Sequence, residues 1–287
     1  DLRDIPTHSS LTTRIITGAT LMAATVSLIL WGSSVLLLAA ALLIALLGLW
    51  EFYRLCEAAG VPPIRIPGYL LALAFCLLFL AERGAPRTLP FAPSVGWVNA
   101  LAALAFGAAL WLGLSLLPGW GGLRLLRSPR FATLLGPAYI SIPLYLLVWV
   151  REQHGPWLLL FGLAVIWAGD TAGYFIGKSF GKHKSSPLVS PNKTWEGTFA
   201  SFAASLLVAL LAVIGFRYGR FLELLALAAA LNVAGQLGDL AESALKRSAG
   251  VKDSSNLVPG HGGVLDRIDA MLFAAPVLWY YGFWFTS

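Results

Sequence analysis

Nine apolar runs, each close to the length needed to cross a lipid bilayer, leave this chain few ways to fold. They cover residues 11–30, 34–53, 66–81, 95–117, 131–150, 157–176, 198–216, 221–240 and 264–285. A spanning helix needs about 20 mostly apolar residues. The third run is short and flanked by Pro62, Pro63, Pro67 and Pro86, so its ends are the least defined. Composition agrees, with 58% hydrophobic residues, 12% charged residues and a mean hydropathy of +0.76. A soluble domain carries about 25% charged residues, so too few polar side chains remain to cover a soluble surface. Disorder, a collagen repeat and a disulfide scaffold are excluded by the same figures. The expected fold is all-α, a polytopic integral membrane protein of about nine transmembrane helices. The first run is too long and too threonine-rich at its start for a signal peptide. Cys56 and Cys76 share no metal-ligand spacing and read as reduced, buried thiols.

The twenty Lys and Arg residues orient the bundle. With the N-terminus cytoplasmic, fifteen of them fall on the cytoplasmic side and five on the other, a positive-inside bias. An odd number of spans then leaves the C-terminus outside. The net charge of +6 is mostly one membrane face, next to anionic headgroups.

Acids are distributed unevenly. Six are scattered over the first 169 residues; eight follow from Asp170 onward, and all but Glu223 can face one another. Asp170 lies within an apolar run, where an unpaired charge costs about 3 kcal/mol on insertion scales. Gly169, Gly173 and Gly177 recur every four residues beside it and allow a second helix to approach closely, so the face reads as a packing seam next to a polar cavity. Gly177-Lys178-Ser179 is not a phosphate-binding Walker loop: Ala172 replaces the first glycine, and a membrane helix precedes it instead of a strand. In Ser190-Pro191-Asn192-Lys193-Thr194-Trp195-Glu196-Gly197, a proline-led turn is expected to enter a helix with Lys193 and Thr194 near its first turn, where free N–H groups favour phosphate.

The densest polar stretch starts at Gly238. Asp239, Glu242, Ser243 and Lys246 stand at i, i+3, i+4 and i+7, one stripe of a helix leaving the membrane, with Arg247 next to it. Lys252-Asp253 then opens a loop ending Pro259-Gly260-His261-Gly262-Gly263, whose glycines free the backbone to turn N–H groups onto an anion. Asp266-Arg267-Ile268-Asp269 begins the last run. Acids at 170, 239, 266 and 269 thus converge with Lys193, Lys246, Arg247, Lys252 and Arg267. Carboxylates gathered without a Cys or His cluster select a hard cation, Mg²⁺ rather than Zn²⁺. His261, the one histidine there, reads as a hydrogen-bond partner for a phosphate or a backbone carbonyl. Acids, a glycine loop and several cations together describe a polyphosphate site.

The run Ser243-Ala244-Leu245-Lys246-Arg247, then Lys252-Asp253, then Pro259-Gly260-His261-Gly262-Gly263-Val264-Leu265-Asp266-Arg267-Ile268-Asp269 resembles the signature of the CTP:phosphatidate cytidylyltransferases, or CDP-diacylglycerol synthases. Trp167-Ala168-Gly169-Asp170-Thr171, Gly181-Lys182-His183-Lys184 and the segment 190–197 are similar to the same family. Ala270 departs from it, where serine is expected. The detailed match covers the C-terminal part of the chain; the earlier spans agree in hydropathy only.

The resemblance implies a reaction: CTP and phosphatidate give CDP-diacylglycerol and pyrophosphate, with Mg²⁺ required. It implies Asp239 and Asp266 as metal ligands with Asp269 beside them, and Ser243, Lys246 and Arg247 on phosphates. Asp170, Asn192, Lys193, Thr194, Lys252, His261, Gly262, Gly263 and Arg267 complete the expected substrate-binding set. A second, monovalent cation such as K⁺ has been associated with the family, and its enzymes are often dimeric, so a homodimer is expected and no nucleic-acid partner. Residues 1–155 then read as N-terminal scaffold helices on the lipid side, and 156–287 as the C-terminal catalytic region. The expected location is a cell (inner) membrane with the site on the cytoplasmic side. Two other readings compete. A CTP-dependent polyprenol kinase would release CDP instead of pyrophosphate. An ion-coupled transporter would bind its ion at Asp170 and Asp239, but inverted repeats are common there, and here the polar residues lie in one half and at one face.

Overall fold

The computed structural model describes residues 11–84, 100–105, 107–108, 128–216 and 220–285. Its elements run α1 (Leu11–Trp31), α2 (Ser34–Ala58), α3 (Arg65–Gly84), α4 (Pro129–His154), α5 (Pro156–Phe180), β1 (Lys184–Ser186), β2 (Ser190–Thr194), α6 (Trp195–Phe216), α7 (Phe221–Ser248) and α8 (Leu265–Phe285). Helix starts follow local chemistry. Ser33 Oγ accepts from Leu36 N (3.3 Å) ahead of α2, and Ser128 Oγ accepts from Phe131 N (3.5 Å) ahead of α4. Prolines open α4 and α5, where a missing N–H costs nothing.

Among the described residues, five helices are long and apolar enough to cross a membrane: α2, α4, α5, α7 and, over Trp195–Gly215, α6. Shorter apolar stretches lie at Ile15–Trp31 and Arg65–Ala81. α8 is outside that group because it opens on Asp266, Arg267 and Asp269 and carries Pro276. Eight of the nine expected runs each fall inside one of these helices, save that the last starts one residue before α8, and six of the eight helices extend two or more residues beyond their run. The run expected over 95–117 falls mostly outside the described residues, of which 100–105 and 107–108 are helical. α2, α5 and α7 continue past their apolar runs, to Ala58, Phe180 and Ser248. The extension of α7 carries Glu242, Ser243 and Lys246 of the site.

Among the described residues, one two-stranded sheet stands between the helices. β1 and β2 pair antiparallel, Lys184 opposite Thr194 and Ser186 opposite Ser190. Val189 N donates to Ser186 O (3.2 Å), closing a turn with Pro187 in second place, where its fixed φ is suited. Lys193 and Thr194 therefore end a strand rather than begin a helix, and α6 starts at Trp195. The expectation of a proline-led helix entry missed the backbone pairing that 184–186 offers this segment.

α4 is the axis, with 83% of its apolar window buried. Tyr53, Phe52, Leu49, Tyr139, Ile140 and Trp279 are among the largest fully buried side chains around it. α5 and α6 meet along the glycine seam: a Cβ on Gly169 would stand 2.9 Å from Ser201 Oγ and Ser205 Oγ, and one on Gly173 3.3 Å from the Gly197 carbonyl. Asn232 of α7 donates to Ser201 Oγ (2.9 Å) and Ser205 Oγ (2.8 Å), Ser205 Oγ to Val165 O (3.0 Å), and Gln236 to Asn232 Oδ1 (2.6 Å). Hydrogen bonds of this kind hold helices together where water is absent. α7 and α8 also touch backbone to backbone, since a Cβ on Gly238 would lie 2.5 Å from the Asp269 carbonyl and 3.2 Å from Ala270 Cα. The alanine at 270 is buried in this crossing. At the opposite end of the bundle, Arg151 donates to Ile29 O (3.2 Å) and Gly32 O (2.9 Å) and closes the end of α1.

Candidate active site

The contact of α7 and α8 at Gly238 brings the polar end of one helix beside the first turn of the other. Lys246 of α7 lies between two acids: its Nζ is 2.5 Å from Asp266 Oδ1 and also ion-pairs with Glu242. Both acids are withdrawn from solvent, with Asp266 4% and Glu242 0% exposed. Neither Glu242 oxygen accepts from any further donor. A desolvated carboxylate is stable only when its charge is met, so Lys246 is indispensable to this arrangement.

The other Asp266 oxygen is saturated. Oδ2 accepts from Gly263 N (2.7 Å), Ser254 N (3.0 Å) and lies 2.9 Å from Ser254 Oγ. The glycine loop was expected to gather an external anion; its Gly263 amide gathers the Asp266 carboxylate. Gly260 and Gly262 adopt φ of 76° and 80°. Val258 N donates to Gly262 O (2.8 Å) and His261 N to Val258 O (2.9 Å), which makes 258–262 a tight turn. The His261 ring rests against α1, since a Cβ on Gly18 would be 3.3 Å from Nε2, and its Nδ1 is buried without a hydrogen-bond partner.

Lys193, delivered by β2, forms the second ion pair. Its Nζ is 2.7 Å from Asp239 Oδ2 and donates to Gln236 O (3.3 Å). Ser243 Oγ donates to Asp239 Oδ1 (3.4 Å). Asp269 follows on α8, its Oδ1 accepting from Ala270 N (2.7 Å), and it lies within electrostatic reach of Asp239, Asp170 and Lys246. Asp170 on α5 lies within similar reach of Asp239, Lys193 and Arg267. Lys193, Asp170, Asp239, Ser243, Lys246, Asp266, Asp269 and Arg267 therefore surround one region at one end of the bundle.

The remaining expected residues stand differently. Arg247 donates to Val189 O (3.3 Å) and Val251 O (2.9 Å), tying the hairpin to the end of α7. Thr194 is buried and accepts from Gly197 N (3.2 Å) through Oγ1, capping α6 from the strand side. Asn192 and Lys252 are exposed at the rim. Three residues escaped the sequence reading. Tyr139 of α4 is fully buried, with no hydrogen-bond partner for its hydroxyl among the described residues, and lies within electrostatic reach of Glu242, Asp269 and Asp239. Glu242 stood in the recognised stripe without a role. Glu51 of α2 binds the loop under Asp266; its signal was an acid enclosed by Leu49-Trp50 and Phe52-Tyr53, costly in a membrane run unless used.

The donor chemistry fits a hard divalent cation. It consists of carboxylate oxygens: five acids (Asp170, Asp239, Glu242, Asp266, Asp269) lie near three cations (Lys193, Lys246, Arg267), and the Lys193 ammonium stands beside Asp239. Among the described residues, no three Asp, Glu, His or Cys side chains close into a finished metal-binding group.

A helical bundle with this carboxylate and ammonium cluster at one end has side chains suited to phosphate chemistry, and comparisons with known proteins give the family. The model of the cytidylyltransferase family matches residues 12–285. The phosphatidate cytidylyltransferase of Staphylococcus haemolyticus is 34% identical over 259 residues, 88% of this chain and 91% of the relative. That of Staphylococcus saprophyticus is 35% identical over 222 residues, 75% and 78% of the two chains. The Bacillus subtilis enzyme of the same name is 42% identical over 153 residues, 51% of this chain and 55% of its own length. The chain belongs to the cytidylyltransferase family.

Proposed function

We propose that the chain transfers CMP from CTP to phosphatidate, giving CDP-diacylglycerol and pyrophosphate. One observation supports this chemistry best: Asp239, Asp266 and Asp269, with Lys193 and Lys246 paired to two of them, gather where a membrane-spanning bundle ends. A phosphatidate oxygen, ionised near neutral pH, attacks the α-phosphorus of CTP; a new P–O bond forms and the bond to the departing pyrophosphate breaks. No general base is needed. The obstacle is repulsion between two anions, which cationic side chains offset.

In this reading Asp239, Asp269 and, through the Oδ1 now paired with Lys246, Asp266 would hold Mg²⁺, which would supply Lewis-acid charge to the triphosphate. Lys193, Lys246, Arg247, Lys252 and Arg267 balance phosphate charge. Ser243 orients Asp239, and Asn192, Thr194, Asp170, His261, Gly262 and Gly263 shape the surrounding pocket. K⁺ serves as a second cation. Acyl chains enter sideways from lipid while CTP arrives from water, so the reactants meet at the interface. The bias of Lys and Arg supports a cytoplasmic site and N-terminus with nine spans, in the inner membrane of a bacterium. The working form is a homodimer, residues 1–155 are the lipid-side scaffold, and 156–287 the catalytic region.

Product analysis tests this. The detergent-solubilised chain with labelled CTP, Mg²⁺ and phosphatidate is expected to release pyrophosphate and labelled CDP-diacylglycerol; CDP released with a polyprenol as acceptor would instead identify a kinase. Asp239→Ala and Asp266→Ala are each expected to abolish turnover while the helical circular dichroism is kept. Near-normal activity in either defeats the assignment.

A further inference from the structure

Glu51 has no part in the chemistry above, yet among the described residues its carboxylate takes four hydrogen-bonding contacts, as many as Asp266. It stands on α2, in the half of the chain that reads as scaffold, and is 0% exposed. Its Oε1 accepts from Val264 N (2.9 Å) and Ser255 Oγ (2.5 Å), and its Oε2 from Leu265 N (2.6 Å). The Ser254 hydroxyl lies 3.0 Å from Glu51 Oε2 and 2.9 Å from Asp266 Oδ2, bridging the two carboxylates, and its single proton serves one of them at a time.

These partners explain the choice of residue. The first N–H groups of a helix lack partners inside the helix and are usually met by a polar side chain just before it. α8 is preceded by Gly262-Gly263-Val264, none of which can serve. A carboxylate from another helix takes that place, and the partial positive charge of the helix start favours an anion there. All three donors around Asp266 Oδ2 (Ser254 N, Ser254 Oγ and Gly263 N) belong to the segment whose two ends Glu51 holds.

We infer that Glu51 is a positioning residue: from α2 it fixes the loop 254–264 and the first turn of α8, and thereby the bearing of Asp266 in the site. The inference rests on Asp266 acting as proposed above. Outer partners of metal-ligating groups cost 10–100-fold when removed, and Glu51 reaches Asp266 through a single hydroxyl.

The test uses the full chain in detergent, with Glu51→Gln, which keeps size and removes charge, and Ser255→Ala, which touches Glu51 but not Asp266. Hydrogen exchange is expected to quicken at residues 254–265 in both, while α4 stays protected. In Glu51→Gln, kcat per folded enzyme is expected to fall roughly 10-fold or more, with KM for phosphatidate unchanged and more Mg²⁺ needed for half-maximal rate. Ser255→Ala shows the same pattern more weakly, and decides the matter if Glu51→Gln does not fold. Unchanged loop exchange, or a lower melting temperature with kcat per folded enzyme intact, overturns the inference. Should the loop loosen while Asp266→Ala stays active, the site reading has failed; should Asp266→Ala be inactive and the loop stay rigid in Glu51→Gln, the fault lies with Glu51.

Discussion

Lys246 answers two buried carboxylates at once, so replacing it leaves both without a counter-charge. Lys246→Met is expected to cost about 3–5 kcal/mol, read as a lower midpoint in thermal unfolding, together with loss of turnover. Gly262 is sensitive in another way: at φ 80° a side chain is strained, and its Cβ would lie 2.7 Å from Asp266 Oδ2. Gly262→Ala is expected to lose roughly 1–2 kcal/mol and most of the rate, measured as kcat beside the melting curve. The helical stripe from Asp239 to Lys246 was legible in sequence because its period is local. The partners were not. Lys246 meets an acid twenty residues on, Lys193 one forty-six residues on, and Glu51 a loop two hundred residues on. No local pattern encodes such distances, nor that the Gly263 amide turns onto the protein's own Asp266 carboxylate.

Helix against helix, glycines decide how near the chemistry can be brought. Gly238→Ala is expected to drive α7 from α8 at Asp269, costing about 1–3 kcal/mol of overpacking and lowering turnover sharply. Gly215→Ala is the contrasting case: among the described residues nothing lies within 4 Å of a Cβ there, so the variant is expected to be active and slightly more stable, in line with up to about 1 kcal/mol of helix propensity. Melting curves and initial rates on the pair check both statements. Apolar runs and the seam of Gly169, Gly173 and Gly177 were readable in advance, because span length and small-residue spacing are properties of one helix. The hairpin was hidden. Its strands are three and five residues long, they lack alternating hydrophobicity, and only pairing with each other makes them strands. The Asn232, Ser201 and Ser205 network was equally unreadable, since three helices must assemble before its members meet.

Taken as one body, the bundle has unlike ends. One is closed by Arg151 on the carbonyls of Ile29 and Gly32; the other holds the acids, the ammonium groups and the hairpin. Sealed vesicles carrying the chain in a single orientation are therefore expected to turn over added CTP only when the acidic end faces outward, with detergent releasing the hidden activity of the reverse orientation. Equal rates for both orientations before detergent would contradict a one-ended site. The placement of Lys and Arg made this polarity visible in sequence, whereas the reach of α2 into the catalytic half was not. A reaction confined to one end draws its lipid from a single leaflet and returns the product to that leaflet. Growth of the opposite leaflet must then depend on a separate step that flips lipids across, and the two processes are free to be limited independently.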